Sequence, residues 1–221
     1  MHDQSTTPIP FRRSRRMMAI GLAAVVSIGA FGVAVDAQGG GHTMRQKADV
    51  MEQGGGDTYK SKGATLIRTD HSVEVKWKVP TPDPGSYTYP DPAPTHPPIE
   101  PGHPEVFTLW MFVFDNPELC SDDVCDGNDV GDTPARGSVY QVDGEIADKH
   151  QLRMGGKVRL GQTPEAGLGL SNPLGAEIHV AMAPHGQATD GDGLVTQLNT
   201  PAGSPPLWFA AVLLAPGSPG H

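Results

Sequence analysis

The stretch Ser72-Val-Glu-Val-Lys-Trp-Lys-Val79 alternates without a break: Val73, Val75, Trp77 and Val79 share one side, and Glu74, Lys76 and Lys78 the other. A period of two with one charged side is the pattern of a half-buried antiparallel strand, and no helix can present it. A strand of that kind needs partners. Candidates follow at Ala64–Thr69, Val106–Phe114, Ser138–Ala147, Gln151–Leu160, Ala176–Ala183 and Leu207–Leu214, with turn residues between them. Val106–Phe114 is apolar nearly throughout, which predicts a central strand covered on both faces. Asp148 and Lys149 suit a turn joining two of these runs as a hairpin.

With 28 glycines, 22 prolines and no convincing helical period in 221 residues, the pattern predicts an all-β fold. The specific expectation is an antiparallel Greek-key sandwich of about seven strands spanning residues 63–216, with a short tail at 217–221. Residues 38–62 are rich in Gly, Gln and charge and offer little to bury, so they read as a flexible leader with a weak helical tendency over Met44–Gln53. Residues 80–104 hold ten prolines. Such a segment cannot donate to a ladder and reads as a polyproline-like surface insertion. Its Tyr87, Tyr89, His96 and His103 are candidates for meeting a partner; the alternative is a stiffened connection with no ligand.

The amino terminus speaks of destination. Arg12, Arg13, Arg15 and Arg16 precede a Gly/Ala-rich apolar run, Met17 to Val35, and Val35-Asp36-Ala37 supplies small residues for cleavage. This order predicts a secretory signal peptide over residues 1–37 and an extracytoplasmic mature protein. Ser14-Arg15-Arg16-Met17-Met18 fits a twin-arginine signal, although Ile20 stands where lysine is common, and ordinary export is the alternative. After cleavage no apolar stretch is long enough for a stable membrane span.

Charge narrows the partners. The chain carries a net −9, and residues beyond 37 carry 12 basic and 23 acidic side chains, a net −11. That balance argues against nucleic acid, whose phosphates demand Lys and Arg.

Cys120 and Cys125 are the only cysteines, and in an exported chain they are expected to form a local disulfide. Around them crowd Asp122, Asp123, Asp126, Asn128, Asp129 and Asp132. Calcium is the ion such oxygens would hold. The EF-hand spacing fails, however, and Asp and Asn also favour turns for local reasons. Asp190 and Asp192 are a weaker pair of the same kind. Otherwise no cofactor is predicted.

Glu177 and His179 share one face of a strand that carries Ile178, Val180 and Met182 on the other, and His185 follows. Imidazole with carboxylate suits zinc, and imidazole with a thioether such as Met154 suits copper. The bland alternative is a His179 held by Glu177 or by backbone, since no H-x-H or H-E-x-x-H motif is present. No nucleophile elbow, Walker loop or dinucleotide fingerprint occurs either.

The segment Leu109-Trp110-Met-Phe-Val113-Phe114-Asp115-Asn116-Pro117-Glu118-Leu-Cys120, with Cys125 and the later Gly175-Ala-Glu177-Ile-His179, resembles a group of secreted bacterial β-domains. In that group an L-W-x-x-V-F-N-x-P-E-x-C run precedes an acidic loop; this chain has Asp115 in place of the Asn. The resemblance spans roughly Ala64 to Leu214 and implies export and a sandwich fold, without chemistry. The strand rhythm is loosely similar to chordin-type and copper/zinc superoxide dismutase Greek keys, but the dismutase histidines are missing, so that activity does not carry over. The expectation is therefore a non-enzymatic, exported binding or structural domain whose partner is a cell-envelope polymer or protein. The second reading is an extracytoplasmic metalloprotein, and the third a hydrolase without its usual motif.

Overall fold

A computed structural model describes residues 34–35, 42–52, 56–82, 103–147, 150–199 and 209–213. The strands are β1 (Ala34–Val35), β2 (Thr43–Glu52), β3 (Thr58–Thr69), β4 (Ser72–Pro80), β5 (Glu105–Phe114), β6 (Gly137–Ala147), β7 (Gln151–Arg159), β8 (Glu177–Gln187) and β9 (Phe209–Leu213); one helix, α1, covers Gly191–Leu198. The fold is all-β. Eight strands run antiparallel in the order β6-β5-β8-β9-β2-β3-β4-β7, and β1 adds a two-residue pairing to β2 at Met44 and Arg45. β7 returns beside β4 and β8 beside β5, so the connections cross rather than follow the chain.

The sheet curls until its end strands, β6 and β7, lie side by side. The two are not joined by a ladder among the described residues, and the expected Asp148-Lys149 turn lies outside them. Side chain and backbone close the seam instead. Val142 is the extra residue of a bulge, since Leu109 pairs with Asp143 and Trp110 with Gln141. The Gly155 N–H donates to Asp143 Oδ2 at 2.8 Å. A Cβ on Gly156 would stand 2.5 Å from the Val142 carbonyl oxygen, so the seam closes only because that position has no side chain.

Inside the curl, alternate residues of every long strand meet. Val73, Val75, Trp77 and Val79 face Leu66, Leu152, Met154, Phe107, Leu109, Met111, Ile178, Val180 and Met182 in one continuous core. β5 is buried along its whole length, as its apolar sequence predicts, and β8 is buried from Glu177 to Gly186.

Three expectations are corrected. Residues 43–52 and 58–62, read as flexible leader, are β2 and the start of β3, so the domain begins some twenty residues earlier. Its inward positions are Gln46, Ala48 and Val50, one polar and one small, which hides the alternation from hydropathy. The same strand replaces the helix expected over Met44–Gln53. Third, α1 exists despite Gly191 and Gly193 within it. Asp190 offers no side-chain cap, and the helix is held from outside by Gln197, whose amide donates to the carbonyls of His185 and Gln187 at 3.2 and 2.8 Å. Tertiary contact of this kind leaves no periodic trace in eight residues.

Candidate functional site

Both outer faces of the curled sheet are built from alternate residues, and on the β5–β8 side those residues are Trp110, Phe112, Phe114, Val139, Ala181 and Ala183. Apolar side chains pointing outward need a cover. At one end α1 supplies it, with the Gln141 amide donating to the Leu198 carbonyl. At the other end the cover is the loop from Asp115 to Arg136, braced by the Cys120–Cys125 disulfide that the two-cysteine count predicts. Cys125 is buried beneath it and packs with Phe112 and Phe114.

The acidic residues of this loop divide by use. Asp129 is buried; its two oxygens accept from the N–H groups of Ser121 and Asp126, each at 2.9 Å. Asp126 in return accepts from Asn128 N–H at 2.7 Å, completing a reciprocal cap on a single 3-10 turn at Gly127–Asp129. Asp122, Asp123, Asn128 and Asp132 are exposed. Among the described residues, the one set of three or more potential metal ligands whose atoms come together is Cys120, Cys125 and Asp129, and its sulfurs are bonded to each other. Asp126 and Asp129 thus serve backbone N–H groups, the local role that Asp and Asn take in turns. Asp190 and Asp192 are exposed at the start of α1.

The loop is fastened to the barrel at two places. Asp115, nearly inaccessible, accepts from Ser171 N–H and Oγ–H and from Asn172 N–H at 2.7–3.1 Å, with Arg136 Nε 4.0 Å away. Glu177 Oε1 accepts from the Cys125 N–H at 2.9 Å and from His179 Nε2–H at 2.7 Å. The expected Glu177–His179 pairing on one strand face is present. Both residues are buried, and the His179 ring stands edge-on to Phe114 with centroids 5.2 Å apart. His179 Nδ1 has no hydrogen-bond partner among the described residues.

His185 does not join them. It lies six residues further along β8, about 20 Å away at the usual rise of a strand. There its Nε2 meets Thr108 Oγ1 at 2.8 Å, which also accepts from Trp110 Nε1–H at 2.8 Å. The expected Glu177/His179/His185 metal set is therefore corrected: the three cannot reach one ion, because a strand spreads residues that look close in sequence. Met154 sits in the interior core, on the other side of the sheet.

Sequence reasoning missed the residue that ties this end together. Arg68 points into the barrel, fully buried, where its guanidinium donates to Gln46 Oε1 at 2.7 Å and to the carbonyls of Pro173, Ala176 and Leu213 at 3.0, 2.7 and 3.3 Å. Burial lowers its pKa to about 10, opposed by the Glu177 carboxylate, so it stays charged at neutral pH. A break in apolar alternation at Leu66-Ile-Arg68 was the available signal. Tyr140 closes the same end: its oxygen accepts from Leu170 N–H at 2.7 Å, and burial pushes the phenol pKa up.

Of the proline-rich insertion, Tyr87, Tyr89 and His96 lie outside the described residues, and His103 is exposed just before β5. No family model, curated protein or solved structure matches this chain.

Proposed function

We propose that this protein is an exported, non-enzymatic β-domain that serves as a binding or structural module of the cell envelope. The observation that carries the reading is the Cys120–Cys125 loop: a disulfide-closed cap whose Asp126 and Asp129 hold its own backbone and whose base is clamped by Asp115 and Glu177. A bond of that kind persists in oxidising compartments. The basic start, apolar run and small-residue exit of residues 1–37 point the same way, with the arginine pair favouring the twin-arginine route. Cleavage after Ala37 would remove β1 and leave β2 paired with β3 along its length and with β9 at Met51 and Glu52. The partner class is an envelope polymer or protein, met by a rigid scaffold rather than a reacting cleft.

The test follows the full chain in its own cell. N-terminal sequencing of the envelope fraction should show a chain beginning at Gln38 with no titratable thiol, and Arg15→Lys/Arg16→Lys should hold the precursor inside. An uncleaved cytoplasmic chain with two free thiols overturns the reading.

A further inference from the structure

The chain's net −9 is an average over two unlike surfaces. The outward positions of β2, β3, β4 and β7 present Arg45, Lys47, Lys76, Lys78, Arg153, Lys157 and Arg159, all exposed. Those seven are more than half of the 12 basic residues beyond position 37. The pairings place them together. Lys47, Thr65 and Lys76 lie in one row across three strands, Arg45, Ile67, Glu74 and Lys157 in the next, and Lys78 sits directly opposite Arg153. Among the described residues the rows themselves hold one carboxylate, Glu74, already shared between Lys157 at 2.7 Å and Lys76 at 3.6 Å, and further along β2 come Asp49 and the exposed Glu52. Those ammonium groups hold the Glu74 pKa below the usual carboxylate value. Two of the acids nearby are turned to backbone: Asp49 accepts from Lys62 N–H, and Asp70 from His42 N–H.

Like charges directly opposite each other in a ladder cost stability, so the Lys78–Arg153 pair is not there for the fold. We propose that this outer face binds a linear acidic polysaccharide, carboxylate groups meeting the rows of Lys and Arg. The proposal rests on the exported-module reading and names the surface and the class of ligand.

The shape of the face chooses among polyanions. It is a convex strip about 14 Å wide, three strand spacings across, which a flexible chain can follow but a flat bilayer meets only along a line. No aromatic side chain lies among Arg45, Lys47, Thr65, Ile67, Glu74, Lys76, Lys78, Arg153, Lys157 and Arg159, so the base stacking that holds single-stranded nucleic acid is missing. The exposed acids of the Cys120–Cys125 loop, Asp122, Asp123 and Asp132, stand on another part of the surface and repel the same polymer, which favours one orientation of approach.

The probe is polygalacturonate, immobilised, with the exported full-length product as analyte at low and at 0.5 M salt. Vesicles of phosphatidylglycerol and phosphatidylcholine and a single-stranded DNA serve as competing arms. Wild type should be retained on polygalacturonate and released by salt. Lys76→Gln/Lys78→Gln/Arg153→Gln should weaken retention by about tenfold or more, while Asp122→Asn/Asp123→Asn retains it. A melting temperature unchanged in the triple variant shows that the face, not the fold, was altered. Absence of retention, retention indifferent to the triple variant, or tighter binding to DNA or vesicles overturns the proposal. If the protein still fractionates with the envelope in those cases, the module reading stands and only the polysaccharide is lost; if it is not exported, both fall.

Discussion

The two outer faces of one sheet show how the same alternation is put to opposite uses. On β5 and β8 the outward residues are Trp110, Phe112, Phe114, Ala181 and Ala183, and the disulfide loop and α1 lie over them. On β4 and β7 the outward residues are Glu74, Lys76, Lys78, Arg153, Lys157 and Arg159, and they are open to solvent or partly so. A strand with two apolar sides forces the chain to spend further segments covering it; a strand with one charged side needs none. The covered face carries stability, and the open one stays in contact with solvent.

The largest break in that comparison should come from the covered face. Phe114→Ala removes a fully buried ring from between β5, the loop and His179, and should cost about 3–5 kcal/mol, read as a fall in the urea midpoint. Cys120→Ser/Cys125→Ser should cost about 2 kcal/mol, the chain-entropy value for so short a ring. Because Trp110 belongs to the same apolar cluster as Cys125, the same variant should raise quenching of tryptophan fluorescence by iodide. Equal loss of stability with no change in quenching would show that the loop stays seated without its bridge. The smallest effect belongs to the open face: Lys78→Glu should leave stability unchanged or raise it by about 0.2–1 kcal/mol, because it turns a like pair with Arg153 into an unlike one. A loss above about 1 kcal/mol would mean that Lys78 has a structural role.

The reading of the sequence succeeded where alternation or apolar continuity is strong. β4 was legible because Val73, Val75, Trp77 and Val79 leave no other period, and β5 because Val106–Phe114 can only be interior. β2 escaped because its inward Gln46 exists to receive Arg68, twenty-two residues away, a reason no local window contains. In the same way Glu177 and His179 were rightly placed on one face, while their burial came from a loop more than fifty residues earlier in the chain. His185 was grouped with them by closeness in sequence, which an extended strand does not preserve.

By itself, then, the sequence determined the all-β class, most strand positions, the single disulfide and the acidic balance, because each depends on residue type and short-range period. Only the tertiary structure decided which outward faces are covered, that Arg68 plugs the barrel end, and that the scarce cations gather on β2, β3, β4 and β7. Those outcomes depend on register and on which strands become neighbours, and in a sheet of crossing connections neighbours are chosen by contacts far apart in the chain.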